Sequence, residues 1–401
     1  MVFSKEASSS SHGLNPMSPE EAPLLPKLKL LSSQPKTFAN VFIAVVGAGV
    51  LGLPYCFKRT GWVVSLLMLF SVAALTHHCM MLLVRTRRRL ESVMGFTNIA
   101  SFGDLGFIVC GSVGRFAVDL MLVLSQAGFC VGYLIFIANT LANLFNSPTP
   151  TNLHPRILGL MPKTVYIWGC IPFQLGLNSI STLTHMAPLS IFADIAVGSL
   201  SMFFYGLGVA VYAFEGVGMV LPIESETQER EKFGKVLALA MASISLMYGG
   251  FGALGYFAFG EDTKDIITAN LGTGLVSFLV QLGLCVNLFF TFPLMMNPVY
   301  EVVERRLYNG RYCLWLRWLL VLTVILVALL VPNFTDFLSL VGSSVCCGLG
   351  FVLPALFHLM VFKEEMGWGG VSLDVGIVVV GVVLGVSGTW YSLVEIFSVK
   401  V

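Results

Sequence analysis

Residues 46–54 read Val-Gly-Ala-Gly-Val-Leu-Gly-Leu-Pro and lie within an apolar run that begins at residue 38. Inside a helix, glycine costs about 1 kcal/mol relative to alanine, and proline costs about 3 kcal/mol. This stretch therefore predicts a break in a membrane helix. Backbone groups that are freed at membrane depth must be covered by protein or must line a water-filled cavity. The sequence thus predicts an interrupted span beside a cavity.

A second interruption lies in the middle of the chain, where residues 214–218 read Phe-Glu-Gly-Val-Gly and Leu-Pro follows shortly after. Interrupted spans in corresponding parts of two halves point to the binding site of an inverted-repeat transporter. The first N–H groups of a half-helix favour a carboxylate, and the freed carbonyls suit an ammonium group. We therefore expect a site here that binds both charged ends of a zwitterion. The predicted substrate-binding residues are Gly47, Ala48, Gly49, Phe214, Glu215 and Gly216.

Each of these predictions has an alternative. Glycines in membrane helices also permit close helix packing, without any ligand. An acid inside an apolar run is costly and marks a functional site by default, so Glu215 is the candidate for proton coupling. The alternative for Glu215 is a structural acceptor for nearby backbone N–H groups.

The composition excludes several classes of protein. Of 401 residues, 56% are hydrophobic and 11% are charged, with a mean hydropathy of +0.85, whereas about a quarter of the residues in soluble domains are charged. A net charge of +1 argues against a nucleic-acid partner. No Walker loop, nucleophile elbow or zinc-protease motif is present, which favours a secondary carrier over a pump or an enzyme. We predict no cofactor or metal, and expect a proton gradient to supply the energy.

Ten apolar runs are long enough to cross a hydrocarbon core of about 30 Å, which predicts an all-α polytopic membrane protein. Residues 1–36 are polar and rich in proline and serine, which predicts a disordered cytoplasmic tail before a transmembrane domain at 37–401. Asp336, Asp374 and Glu395 lie near the ends of runs and are predicted to be interfacial. The predicted spans are 38–57, 61–84, 116–145, 164–180, 186–221, 236–259, 267–299, 314–331, 334–362 and 371–397.

The run at 186–221 conflicts with the distribution of charge. The basic clusters at 85–89 and 305–317 are expected on the cytoplasmic side, and both lie there only if this run counts as two spans. It has 36 residues, whereas two full spans need about 40 residues and a turn. We expect the bundle to keep the orientation that the charges favour, with a shortened fifth element leading into the sixth span.

Four segments carry a family resemblance: 47–54, 213–222, 289–298 and 331–343. From Thr37 to the C-terminus the sequence resembles the amino acid/auxin permease family, and within it the plant vacuolar amino-acid transporters. The resemblance implies a LeuT-like inverted-repeat bundle of eleven spans and proton-coupled transport of neutral amino acids. Family members have a complete fifth span after residues 192–194. Here that span is largely missing, at the place where the charges conflict.

The resemblance also places the run at 267–299 against the first span. Asn287 and Thr291 are therefore candidate substrate ligands, and helix–helix hydrogen bonding is the alternative. In the tail, Glu20, Leu24 and Leu25 form an acidic dileucine pattern that resembles a vacuolar sorting signal and would bind adaptor proteins. A chance cluster is the alternative.

The sequence therefore predicts a proton-coupled carrier of small neutral amino acids, such as alanine and proline, in the vacuolar membrane. Its partners would be the amino acid, protons and lipid, and its direction would be export to the cytosol. Two alternatives stay open: a membrane sensor or scaffold that binds amino acids without transporting them, and a shortened isoform that no longer transports.

Overall fold

The computed structural model describes residues 32–93, 99–145, 162–178, 200–271, 274–331 and 333–398. Almost all of these residues are helical, and the single β-bridge among them joins Ser32 to Thr227. The prediction of an all-α polytopic membrane protein is confirmed. The helices are α1 Gln34–Val45, α2 Leu53–Thr60, α3 Trp62–Val93, α4 Phe102–Phe145, α5 Pro162–Leu177, α6 Leu200–Ala213, α7 Val217–Glu226, α8 Phe233–Phe259, α9 Leu275–Tyr308, α10 Leu314–Leu330, α11 Phe334–Val341, α12 Leu353–Phe362 and α13 Trp368–Ser398.

Seven helical segments in the described part of the chain are long and apolar enough to cross a membrane. The pair formed by 34–45 and 48–60 makes an eighth span that bends by 50° at its break. In this pair a 3₁₀ turn, Ala48–Gly52, leads directly into α2. The predicted spans at 164–180 and 314–331 correspond to helices of only 16 and 17 residues.

The helix that contains the predicted span 116–145 begins earlier, at Phe102. Its chain turns sharply at Gly111, which has φ 62° and ψ −149°, a conformation that favours glycine. The segment before this turn folds against the segment after it, so that a Cβ built on Gly114 would lie 2.2 Å from the Gly106 carbonyl oxygen. The predicted span did not include this segment, which holds one charged residue, Asp104, before Arg115.

Ser32, where the described part of the chain begins, and the first basic cluster lie at one end of the bundle, which we call the basic end. There the Ser32 backbone pairs with the chain at residues 226–228. On the same end, Arg87 donates to the buried Glu224 carboxylate at 2.8 Å, and Arg89 pairs with Glu365 after α12. These contacts tie α7 and α12 to the end of α3.

The second basic cluster also lies at the basic end. α4 begins there, since Phe102 packs on Phe357 of α12 with ring centroids 5.9 Å apart. After the turn at Gly111, Asp119 comes close to Gly103 and pairs with Arg305 of α9 at 3.3 Å. The two basic clusters thus share one end of the bundle, as the charge bias favours.

Asp119 also pairs with Arg115 one turn before it in α4, at 3.9 Å. Asp336 and Asp374 lie near the starts of α11 and α13, and both are packed among other helices, since each is 2% exposed. Their predicted interfacial depth stays a prediction. The carboxylate of Asp374 lies 2.6 Å from Nδ1 of His358, and this partner compensates for the loss of water around the buried acid.

The predicted run at 186–221 is described from Leu200 onward, as α6, a break at residues 214–216 and α7. Residues 179–199 lie outside the described part of the chain, and the shortened fifth element stays a prediction. The predicted disordered tail, including Glu20, Leu24 and Leu25, also lies outside it up to residue 31. α1 starts at Gln34, three residues before the predicted domain boundary.

Close helix packing, which was the alternative explanation for the glycines of the breaks, is the role of a glycine inside α6. A Cβ built on Gly342 would lie 1.8 Å from the Gly208 carbonyl oxygen. α6 and the helix that contains Gly342 therefore cross with their backbones in contact. This crossing fixes the position of α6 immediately before the second break.

Candidate substrate-binding site

A cavity of about 610 Å³ lies at the two helix breaks, within the usual size range of ligand pockets. α4 and α9 supply the facing walls. From the breaks the cavity reaches the basic end at the exposed Glu226, next to the bridge at Thr227. Its lining comprises residues 43–49, 212, 213, 215, 216, 218, 219, 222, 223 and 226 with Asn40, then Leu122, Gln126, Phe129 and Tyr133 of α4 and Leu294, Met295, Asn297 and Pro298 of α9.

A tyrosine of α8 joins the two breaks. Each break frees a carbonyl, since the helix does not continue to the residue that would donate to it. The Tyr248 hydroxyl lies 3.3 Å from the Val45 oxygen and 3.2 Å from the Ala213 oxygen. One hydroxyl hydrogen serves both oxygens, and each carbonyl keeps a second lone pair for another donor.

Glu215 lies in the second break and is half-buried beside the cavity. Its carboxylate faces the Val217 backbone N–H at the start of α7 and the Cys346 thiol. The alternative for this residue, a structural acceptor for nearby backbone N–H groups, stays open beside proton coupling. Cys346 comes from a π-helical segment, Gly342–Cys346, and such segments are frequent at functional sites.

The structure brings together five of the predicted substrate-binding residues: Gly47, Ala48, Gly49, Glu215 and Gly216 all line the cavity. Phe214 does not line it. Its side chain is fully buried and packs on the Tyr248 ring at 5.2 Å.

Asn287 and Thr291 also lie outside the cavity lining. The Thr291 hydroxyl donates to the Asn287 carbonyl at 2.8 Å within α9. The part of α9 that faces the cavity lies further along the helix and includes Asn297. The rotation of α9 about its axis decides this, and the sequence pattern does not specify that rotation.

Sequence reasoning missed the aromatic wall of the cavity. Phe129 and Tyr133 of α4 and Tyr212 of α6 line its end furthest from the basic end. The Phe129 and Tyr212 rings meet edge to face, with centroids 4.8 Å apart. Aromatic residues are common throughout these apolar runs, so their identity alone carried no signal. For Tyr212, the available signal was its position, two residues before the second break.

The charge of the lining is one-sided. Glu215 and Glu226 supply carboxylates, and no lysine, arginine or histidine is among the lining residues that the structure describes. An ammonium group is therefore favoured here, whereas a carboxylate needs neutral donors. Asn40, Gln126, Asn297, Tyr212 and the backbone N–H groups at the first break are such donors.

Beyond the aromatic wall, a polar cluster around Arg59 closes the opposite end of the bundle. Arg59 of α2 donates to Glu395 of α13 at 2.6 Å and lies 3.8 Å from Asp336 of α11. Its guanidinium stacks on the Tyr205 ring at 4.5 Å, and the Tyr205 hydroxyl donates to Asp336 at 2.7 Å. Four helices are joined by this one arginine, which separates the cavity from that end.

The glycines of the first break are expected to respond differently to substitution. No atom lies within 4 Å of a Cβ built on Gly47, whereas one on Gly49 would lie 2.8 Å from the Tyr212 ring and 3.0 Å from Ala213 Cα. Gly47→Val should therefore block transport more than tenfold while the protein stays folded, because its side chain enters the cavity. Gly49→Val should block transport by displacing α6 and should also lower the thermal stability.

Uptake normalised to the amount of protein in the membrane, together with thermal unfolding in detergent, separates the two effects. Normal uptake by both variants would place the substrate elsewhere.

Comparison with known proteins identifies the family. Residues 31–202 and 197–394 match the family described as transmembrane amino acid transporter protein. Amino acid transporter AVT3B of Arabidopsis thaliana is 68% identical over 406 residues, covering 94% of this chain and 97% of that protein. Amino acid transporter AVT3C of the same plant is 66% identical over 436 residues, covering all of both chains.

The second alignment is 35 positions longer than this chain, and the family match divides at residues 197–202. Both findings agree with the predicted loss near the fifth span.

A yeast relative bears on location. Vacuolar amino acid transporter 3 of Schizosaccharomyces pombe is 28% identical over 82% of this chain and 53% of its own length. Together with the membrane-spanning helices, this confirms the prediction of a multi-pass vacuolar membrane protein. The prediction of a transporter and not an enzyme is confirmed as well, since this chain belongs to the transmembrane amino acid transporter family.

Proposed function

We propose that this protein is a proton-coupled carrier of neutral amino acids that exports them from the vacuole to the cytosol. The observation that carries the proposal is the cavity in which both helix breaks and Glu215 meet. The Arabidopsis relatives, which are named amino acid transporters, support the substrate class.

The polar groups at the breaks suit the two ends of a neutral amino acid. The start of the half-helix 48–60 offers free N–H groups and the positive end of a helix dipole to the substrate carboxylate. The equivalent position at α7 is occupied by the Glu215 carboxylate. The ammonium group therefore lies on the side of Glu215 and of the Val45 and Ala213 carbonyls.

The one-sided charge of the lining narrows the substrate class. An acidic amino acid would bring a second carboxylate into a cavity that already holds Glu215 and Glu226 and in which no described residue supplies a cationic side chain. Like charges at close range disfavour binding. Aspartate and glutamate are therefore excluded, and neutral amino acids such as alanine and proline fit.

Proton coupling is assigned to Glu215. Intramembrane acids mark proton pathways in transporters, and this one lies in the second helix break, beside the substrate cavity. The opening of the cavity at the basic end supports release toward the cytosol, because clusters of arginine and lysine mark the cytoplasmic side.

Uptake into proteoliposomes under an imposed pH gradient tests the proposal. Labelled alanine should accumulate when the gradient is present and should stop accumulating when a protonophore removes it. Unlabelled proline should compete, whereas aspartate at the same concentration should not.

Two outcomes would favour the alternatives. Saturable binding of alanine without uptake would indicate a sensor or scaffold. Uptake that occurs only after the missing segment of AVT3C is inserted between residues 178 and 200 would indicate a shortened isoform that does not transport. Adaptor binding at residues 20–25 stays a prediction.

A further inference from the structure

A buried hydroxyl without a partner lies at the closed end of the cavity. Tyr212 is 5% exposed, and its Oη has no hydrogen-bond partner among the residues that the structure describes. The other buried side-chain atoms in this condition belong to His77, His78, Thr140 and Thr268, none of which lines the cavity. An unsatisfied buried hydroxyl is costly, and each such group in a native protein calls for an explanation.

The surroundings of Tyr212 hold its ring in place. One face lies against Gly49, whose Cβ would come within 2.8 Å of the ring, and the edge of the ring meets Phe129. The hydroxyl lies beside Gly132 of α4, 3.2 Å from the position of a Cβ there. It therefore lies against α4 between the lining residues Phe129 and Tyr133, and the close packing of the ring restricts its movement.

We propose that the Tyr212 hydroxyl is a substrate-binding group that donates a hydrogen bond to the carboxylate of the amino acid. This rests on the proposed function, and it adds a recognition group that the helix breaks alone do not supply. In a lining whose charged side chains are the carboxylates of Glu215 and Glu226, a substrate carboxylate must be held by neutral donors, and this hydroxyl has no competing partner.

The chemistry predicts discrimination between substrates. A hydrogen bond between a hydroxyl and an ionised carboxylate is stronger than one between neutral groups. The hydroxyl therefore favours amino acids over compounds in which an amide replaces the carboxylate. The amide oxygen can still accept this hydrogen bond, but it carries no charge, so the bond contributes less to binding.

The test compares Tyr212→Phe with the unchanged protein in proteoliposomes. The half-saturation concentration for alanine exchange should rise about 10-fold to 100-fold, as expected for loss of a hydrogen bond to a charged group. Inhibition of that exchange by alaninamide, which lacks the carboxylate, should change less than threefold. Tyr300→Phe is the matched control, because its hydroxyl donates to Asn178 outside the cavity, and it should leave the half-saturation concentration unchanged.

Gly132→Ala provides a second variant if Tyr212→Phe does not fold. The added methyl group would crowd the hydroxyl and should weaken alanine more than alaninamide. An unchanged half-saturation concentration, or an equal loss for alanine and alaninamide, would overturn the assignment. Failure of the unchanged protein to exchange alanine would instead refute the proposed function.

Discussion

Replacing Glu215 with glutamine is expected to reduce alanine accumulation driven by a pH gradient more than tenfold. Glutamine keeps an oxygen that can accept the Val217 N–H bond, but it cannot take up or release a proton. Exchange of labelled for unlabelled alanine without a gradient should therefore continue. Parallel measurements of gradient-driven uptake and of exchange separate the loss of coupling from the loss of the site.

Glu226→Gln is the matched control for this experiment. Glu226 lines the same cavity but is exposed at its mouth, and its replacement should leave the pH dependence of transport as it is. If Glu215→Gln shows the pH dependence of the unchanged protein, the proton is carried elsewhere and this part of the proposed function is wrong.

Replacing Arg59 with glutamine is expected to open the opposite end of the bundle. Removing one partner from a buried ion pair typically costs about 3–5 kcal/mol, because the other charge is left unpaired. Here Asp336, 2% exposed, would lose its cation, and Glu395 would lose its contact at 2.6 Å. A cysteine at Gly47 should then react with an impermeant thiol reagent from that side at least tenfold faster.

The measurement needs a background in which the nine native cysteines are replaced. Arg115→Gln is a suitable control, since Arg115 pairs with Asp104 at 3.1 Å at the basic end and should not alter labelling from the opposite side. Equal labelling with and without Arg59 would show that the aromatic wall alone seals the cavity.

The two helix breaks were predictable because glycine and proline act on the backbone locally, whatever surrounds them. The sequence therefore indicated Gly47, Gly49 and Glu215 before any contact was known. It could not place Asn287 or Thr291, since their orientation depends on how α9 packs. For Phe214 it identified the correct break, but whether a side chain there faces the cavity or Tyr248 depends on the geometry of the break.

The Arg59 cluster was not predictable for a related reason. Asp336 and Glu395 lie near the ends of apolar runs, where charges ordinarily meet water or lipid headgroups. They are separated by roughly sixty residues from each other and by more than 270 from Arg59. Only the folding of α2 against α11 and α13 turns them into one buried network.

The polar seal around Arg59 has an electrical consequence. A water-filled cavity open at the basic end carries the potential of that side as far as the helix breaks, so the membrane voltage falls mainly across the seal. Moving one elementary charge through 100 mV amounts to about 2.3 kcal/mol. If Glu215 carries the coupled proton, as proposed, a proton that reaches it from the opposite side crosses most of this drop, whereas its departure through the cavity crosses little. The membrane voltage therefore acts on the loading of the carrier and hardly at all on release.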